Sequence, residues 1–131
     1  MKIVYTSHSI EGEPGPNIYW RGTPDEFLKL LVDLRPLACG SGFSIDIQDL
    51  KYIHYEAIES YKLTSLKDAK TLSRVENGHI LSELDSKVWE GFLHKVLSLS
   101  FGRGYHYQDQ EDISKDPLIS DANIIMSSED G

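Results

Sequence analysis

The residues with the most evident chemistry lie near the C-terminal end, where His106 is followed by Asp109, Glu111 and Asp112. An imidazole beside carboxylates could bind a metal ion or transfer a proton. His106 and Asp109 are three positions apart, however, so on a strand their side chains point to opposite faces. Such a site therefore requires a bend in the chain, and the alternative interpretation is a polar cluster at a sheet edge.

Other catalytic patterns are missing from the sequence. The five histidines include no HExxH motif, and Cys39 lies in LACGSG, which is neither a phosphate-binding loop nor a nucleophile elbow. A nucleophilic cysteine needs a base and an electropositive setting, and without a recognised motif around it we interpret Cys39 as a small buried or half-buried thiol. We therefore predict no catalytic residue, no metal site and no cofactor.

Two tyrosines flank His106, and an acidic stretch follows them. Residues 109–131 hold seven acids and one base, which accounts for −6 of the net charge of −8. Tyrosine often anchors protein interfaces, and an acidic segment attracts basic proteins while repelling nucleic acid. The alternative is that the tyrosines cover a sheet face and the acids keep the chain in solution. The pattern predicts a surface for a basic partner protein, formed by Tyr105, Tyr107, Asp109, Glu111, Asp112 and Asp116.

The bulk properties fit one folded domain. A chain of 131 residues with 40% hydrophobic residues can form a single core. No apolar run is long enough to cross a bilayer, and the segment MKIVYTSHSI has no cleavage-type pattern. The single cysteine permits no intramolecular disulfide. We expect one cytoplasmic domain over residues 1–131, with residues 109–121 as a mobile acidic loop.

Two helices are predicted from local signals. The segment GTPDEFLKLLVDLRP places a Thr23–Glu26 capping box and Pro24 ahead of an apolar face, and Pro36 ends the helix. The segment DSKVWEGFLHKVLSLS is the second helix, capped by Asp85 or Ser86, with a left-handed stop expected at Gly102.

The remaining segments read as strands. Alternation or β-rich composition predicts strands at 2–8, 17–22, 43–47, from about Ala57 to 66, 105–108 and 123–127. Asn77-Gly78 predicts a tight hairpin between two further strands. The order of elements indicates an α+β fold: a mainly antiparallel sheet with two helices packed on one face.

Two short blocks resemble a known class of proteins. RGTPDEFLKLLVDL, residues 21–34, is similar to the strand-to-helix entry of small bacterial immunity proteins. GYHYQDQ and DANIIMSSED, within residues 104–130, are similar to the closing strands of immunity-type proteins associated with polymorphic or Rhs-type toxins. The chain departs from that ending at Tyr105-His106-Tyr107, where the pattern has His-Gln-Tyr. The resemblance implies a non-enzymatic protein that binds a cognate toxin and blocks its active site.

Three functional hypotheses follow. The first, which we favour, is a cytoplasmic binding protein that neutralises a basic partner, with neither nucleic acid nor membrane as a partner. The second is a small enzyme or metal-binding protein that uses His106 and the nearby acids, and a stoichiometric metal would favour it. The third is a structural or regulatory subunit, including a homodimer formed through a sheet edge.

Overall fold

The structure is a computed structural model that describes residues 1–7, 16–102, 104–108 and 122–129, with only the backbone of Tyr107 and Gln108. The predicted α+β class is confirmed. The described strands form two sheets, however, and each contains parallel as well as antiparallel pairs. The predicted acidic loop at 109–121 lies outside the described residues.

The described residues form two helices, two short 3-10 turns and nine strands. The helices are α1 (Pro24–Leu34) and α2 (Ser86–Leu99), and short 3-10 turns cover Arg35–Ala38 and Ile47–Asp49. The strands are β1 (Lys2–Thr6), β2 (Asn17–Gly22), β3 (Ser44–Asp46), β4 (His54–Glu56), β5 (Ser60–Ser65), β6 (Lys70–Glu76), β7 (His79–Leu84), β8 (Gly104–Gln108) and β9 (Asn123–Ser128).

A parallel pair joins the two ends of the chain in the five-stranded sheet, whose order is β4-β1-β2-β9-β8. There β2 pairs in parallel with β9, β1 lies antiparallel to β2, and β8 lies antiparallel to β9. The four-stranded sheet has the order β3-β5-β7-β6, and its β5–β7 pair is parallel. Helices α1 and α2 pack against each other. No helix in the described residues is long and apolar enough to span a membrane.

The predicted start of α1 is confirmed in detail. Thr23 Oγ1 accepts a hydrogen bond from the Glu26 amide at 3.2 Å, and Glu26 Oε1 accepts one from the Thr23 amide at 3.0 Å. The amino group of Met1 also donates to Glu26 Oε2. Burial raises the pKa of Glu26, but these hydrogen bonds outweigh it and leave the pKa below its ordinary value. Glu26 therefore ties the first strand to the first helix.

The turns confirm one local prediction and correct others. Asn77 and Gly78 have φ values of 51° and 83°, which form the predicted hairpin turn between β6 and β7. Ala57 has a φ of 62°, so the strand expected from that residue begins only at Ser60. The strand expected over 43–47 is shorter, because a 3-10 turn begins at Ile47.

Helix α2 is capped by Asp85, whose Oδ1 accepts from the Lys87 amide at 3.0 Å. Gly102 has a positive φ of 153°, which favours glycine, but the helix stops before it and not at a left-handed residue. The helix ends at Leu99, and Ser100 follows in right-handed helical geometry, with its amide bonded to carbonyls of the last turn.

Trp20 joins the two sheets and α2 in one core. Its ring, on β2, meets Tyr61 of β5 edge-on at 5.8 Å and Phe92 of α2 at 5.6 Å. Phe92 in turn packs edge-on against Trp89 at 5.5 Å. All four rings are buried, so this aromatic cluster fixes how the five-stranded sheet, the four-stranded sheet and α2 meet.

Candidate protein-binding surface

Strand β8 carries the two tyrosines that the sequence singles out. Among the described strands, it forms one edge of the five-stranded sheet. The register places Tyr105 opposite Ser127 and Tyr107 opposite Ile125. The Tyr105 side chain is 41% exposed, as a contact residue requires. The side chain of Tyr107 lies outside the described residues.

His106 faces helix α2. Its Nε2 lies 3.3 Å from the hydroxyl of Ser98 on α2, and this contact links β8 to the last turns of the helix. Burial, aided by the positive charge of Lys95, lowers the pKa of His106 below its ordinary value. The imidazole is therefore neutral at physiological pH. The folded state favours this neutral form, so part of the free energy of unfolding is lost as the pH falls through the lowered pKa of His106.

Phe101 is the most exposed large apolar side chain in the described residues, at 84%. It lies just beyond α2, and Leu97, four residues earlier, is partly exposed on the same helix. Phe101 is absent from the predicted contact residues, because FGRG indicates a helix stop. No local pattern gave the exposure of Phe101, because that exposure depends on α2 ending at Leu99.

Strand β8 lies against the end of α2 at two points. The His106–Ser98 contact holds the strand against the helix, and a Cβ at Gly104 would lie only 3.0 Å from Leu99 Cδ2. Along the chain, Phe101 precedes these two contacts and Tyr105 lies between them. Because side chains alternate along a strand, Tyr105 points to the face of β8 opposite His106 and α2. We refer to Leu97, Phe101, Tyr105 and His106 as the α2–β8 junction.

Asp109, Glu111, Asp112 and Asp116 lie outside the described residues, so their placement stays a prediction. In sequence they follow directly from the last residue of β8. Among the described residues, no group of three His, Cys, Asp or Glu side chains could hold a metal ion.

Cys39 is exposed, so the interpretation of it as a buried or half-buried thiol was wrong. It lies just after the 3-10 turn Arg35–Ala38, and its Sγ is 3.5 Å from the carbonyl oxygen of Arg35. The turn carries the chain to the surface before the glycines that follow. Cys39 therefore caps a short turn at the surface.

Two other polar groupings have structural explanations. A cavity of about 370 Å³ near the start of β1 contains Arg21, but Arg21 Nη2 pairs with Glu129 Oε2 at 2.6 Å. Ser60 Oγ and His79 Nδ1 are 2.6 Å apart because the two residues are direct neighbours on β5 and β7. Neither grouping requires a ligand to account for its geometry.

Comparisons with known proteins found no matching family model, no matching curated protein and no matching solved structure.

Proposed function

We propose that this chain is a cytoplasmic, non-enzymatic binding protein that neutralises a basic partner protein, with an immunity-type action against a toxin as the specific form. The contact surface is the α2–β8 junction together with the acidic residues that follow β8. Tyr105 and Tyr107 act as anchors, and Asp109, Glu111, Asp112 and Asp116 supply the charge.

The exposure of Phe101 is the observation that carries the proposal. An aromatic ring left 84% in water gains little for the fold, because only a small part of its apolar surface is removed from solvent. Burying such a ring against a partner is favourable, and aromatic anchors dominate many interfaces. Tyr105, also exposed, lies four residues further along the chain, on the face of β8 opposite His106, and supplies a second aromatic side chain for a partner that covers this edge of the sheet.

Charge supports a basic partner. The four residues of the α2–β8 junction include no carboxylate. The segment 109–131, which follows β8 directly, carries a net charge of −6. Opposite potentials accelerate encounter between proteins, and apolar anchors then determine how long the complex lasts. The junction and the acidic segment thus have complementary roles in binding.

His106 supports binding more than catalysis. Its Nε2 is engaged with a hydroxyl of α2, in a position that orients β8 on the helix. The enzyme hypothesis requires the acids beyond position 108 to approach the same imidazole. Without that approach, the contact with Ser98 is sufficient to explain the histidine.

Affinity capture from a lysate of the organism that encodes the chain tests this proposal. We expect the wild type to enrich a basic protein at low ionic strength. The double variant Phe101→Ala/Tyr105→Ala should capture at least tenfold less of it, because truncating interface anchors commonly costs about 2 kcal/mol or more. Quantitative mass spectrometry of the captured proteins measures the ratio.

Phe43→Ala is the matched control. Phe43 is also an exposed phenylalanine, but it lies beside β3 at the edge of the other sheet. The control should capture the same protein as the wild type. Equal capture by the double variant, or no enrichment by the wild type, would contradict the proposal.

A further inference from the structure

One outer stripe of α1 has the spacing of a helix-pairing seam. Asp25, Leu28, Val32 and Arg35 are separated by three, four and three residues, which is the heptad spacing of positions that face a second helix. All four are exposed, with Leu28 at 50% and Val32 at 63%. Arg35 keeps right-handed helical geometry, so the stripe continues through it. The opposite side of α1, formed by Phe27, Leu30 and Leu34, is fully buried.

We propose that this stripe pairs with the same stripe of a second copy of the chain, with the two α1 helices antiparallel about a two-fold axis. In that arrangement, Leu28 of each copy lies opposite Val32 of the other, and Asp25 opposite Arg35. Both pairs are centred on position 30, so one two-fold axis satisfies the apolar pair and the charged pair together. Such an interface is isologous, because each copy presents the same patch.

The charges support a second copy over a different partner. The stripe reads acid, apolar, apolar, base along α1, and this pattern is complementary to itself when reversed. Asp25 and Arg35 lie about 15 Å apart along the helix, which keeps the two ion pairs at the ends of the apolar contact. Neither charge has an ion-pair partner among the described residues.

The neighbouring charges of α1 are already engaged within the chain. Tyr52 donates a hydrogen bond to Asp33 Oδ2 at 2.7 Å, and Lys29 Nζ lies 5.9 Å from the centre of the Tyr52 ring. These residues, with Leu28 and Val32, line a groove of about 400 Å³. The groove gives the apolar side chains of the second copy a place to pack.

The expected dimer is weak. Two helices of this length bury less than the roughly 800 Å² per partner of a standard interface, so we expect a dissociation constant on the order of 10–100 μM. The net charge of −8 per copy also opposes association at low ionic strength. Sedimentation equilibrium in moderate salt, over protein concentrations up to about ten times that constant, covers the necessary range.

Charge exchange on the stripe tests the antiparallel register. Asp25→Arg places two guanidinium groups opposite each other, and Arg35→Asp does the same for two carboxylates. Each single variant should dimerise about tenfold more weakly than the wild type. The double variant Asp25→Arg/Arg35→Asp restores both pairs and should recover wild-type affinity. An equimolar mixture of the single variants should form the heterodimer, because each supplies the charge that the other requires.

Asp46→Arg and Lys62→Asp are matched controls. These exposed residues are cross-strand partners on β3 and β5, so the same charge changes are made away from α1. Both controls should dimerise like the wild type, and circular dichroism should show all variants folded. A wild type that is monomeric throughout the range overturns the proposal. A dimer whose affinity is unchanged by the charge exchange also overturns it. The same holds if the chain does not self-associate and a different protein binds the stripe.

Discussion

Replacing Trp20 with alanine is expected to lower the free energy of unfolding by about 3–5 kcal/mol. The Trp20 ring is fully buried and contacts Tyr61 of the other sheet and Phe92 of α2. Its removal leaves a cavity where three elements meet, and the rigid sheets on either side cannot close it completely. Because domains of this size are stable by about 5–15 kcal/mol, Trp20→Ala should lie near the limit of folding.

Urea unfolding followed by circular dichroism measures this loss. Phe101→Ala provides the comparison, since it also removes an aromatic ring but from a position 84% exposed. That variant should change the free energy of unfolding by less than about 0.5 kcal/mol. A loss below about 1 kcal/mol for Trp20→Ala would show that Trp20 does not join the two sheets in one core.

Neutralising the four predicted acidic contacts is expected to slow association with the captured basic protein by about tenfold or more at low ionic strength. The changes are Asp109→Asn, Glu111→Gln, Asp112→Asn and Asp116→Asn. They remove most of the excess negative charge of residues 109–131, and with it the attraction that guides encounter. Because salt screens this attraction, the difference from the wild type should shrink as ionic strength rises.

Surface plasmon resonance at several salt concentrations gives the association rates. A control with the same net charge neutralises four exposed acids elsewhere: Asp46→Asn, Asp49→Asn, Glu59→Gln and Glu76→Gln. Its association rate should fall much less than that of the first variant. Equal slowing by both sets would show that the total charge of the chain attracts the partner, without a special role for the residues after β8.

Local sequence signals were sufficient for the helices and for the hairpin. The Thr23–Glu26 capping box and the Asn77-Gly78 turn each act within four residues, so the chain forms them wherever the rest of the fold lies. The parallel pairing of β2 with β9 joins residues more than 100 positions apart. No local pattern specifies that pairing, or the parallel pairing of β5 with β7 that makes the second sheet mixed.

The candidate surface was predictable only in part. The placement of Tyr105 on an exposed strand came from composition and alternation, and the structure places it there. The exposure of Phe101 depends on α2 ending at Leu99, and the contact of His106 depends on β8 turning back onto that helix. Both are tertiary events. The sequence therefore shows which residues stand at positions 101 and 106, but not which groups surround their side chains.

Hydrogen–deuterium exchange of the chain, alone and in complex with the captured protein, tests the proposed binding surface most directly. Binding through the α2–β8 junction should slow exchange at residues 97–108, while residues 44–46 and 60–65 in the other sheet should be unaffected. Unchanged exchange at 97–108, with protection at 44–46 and 60–65 instead, would contradict the assignment of the α2–β8 junction as the partner-binding surface.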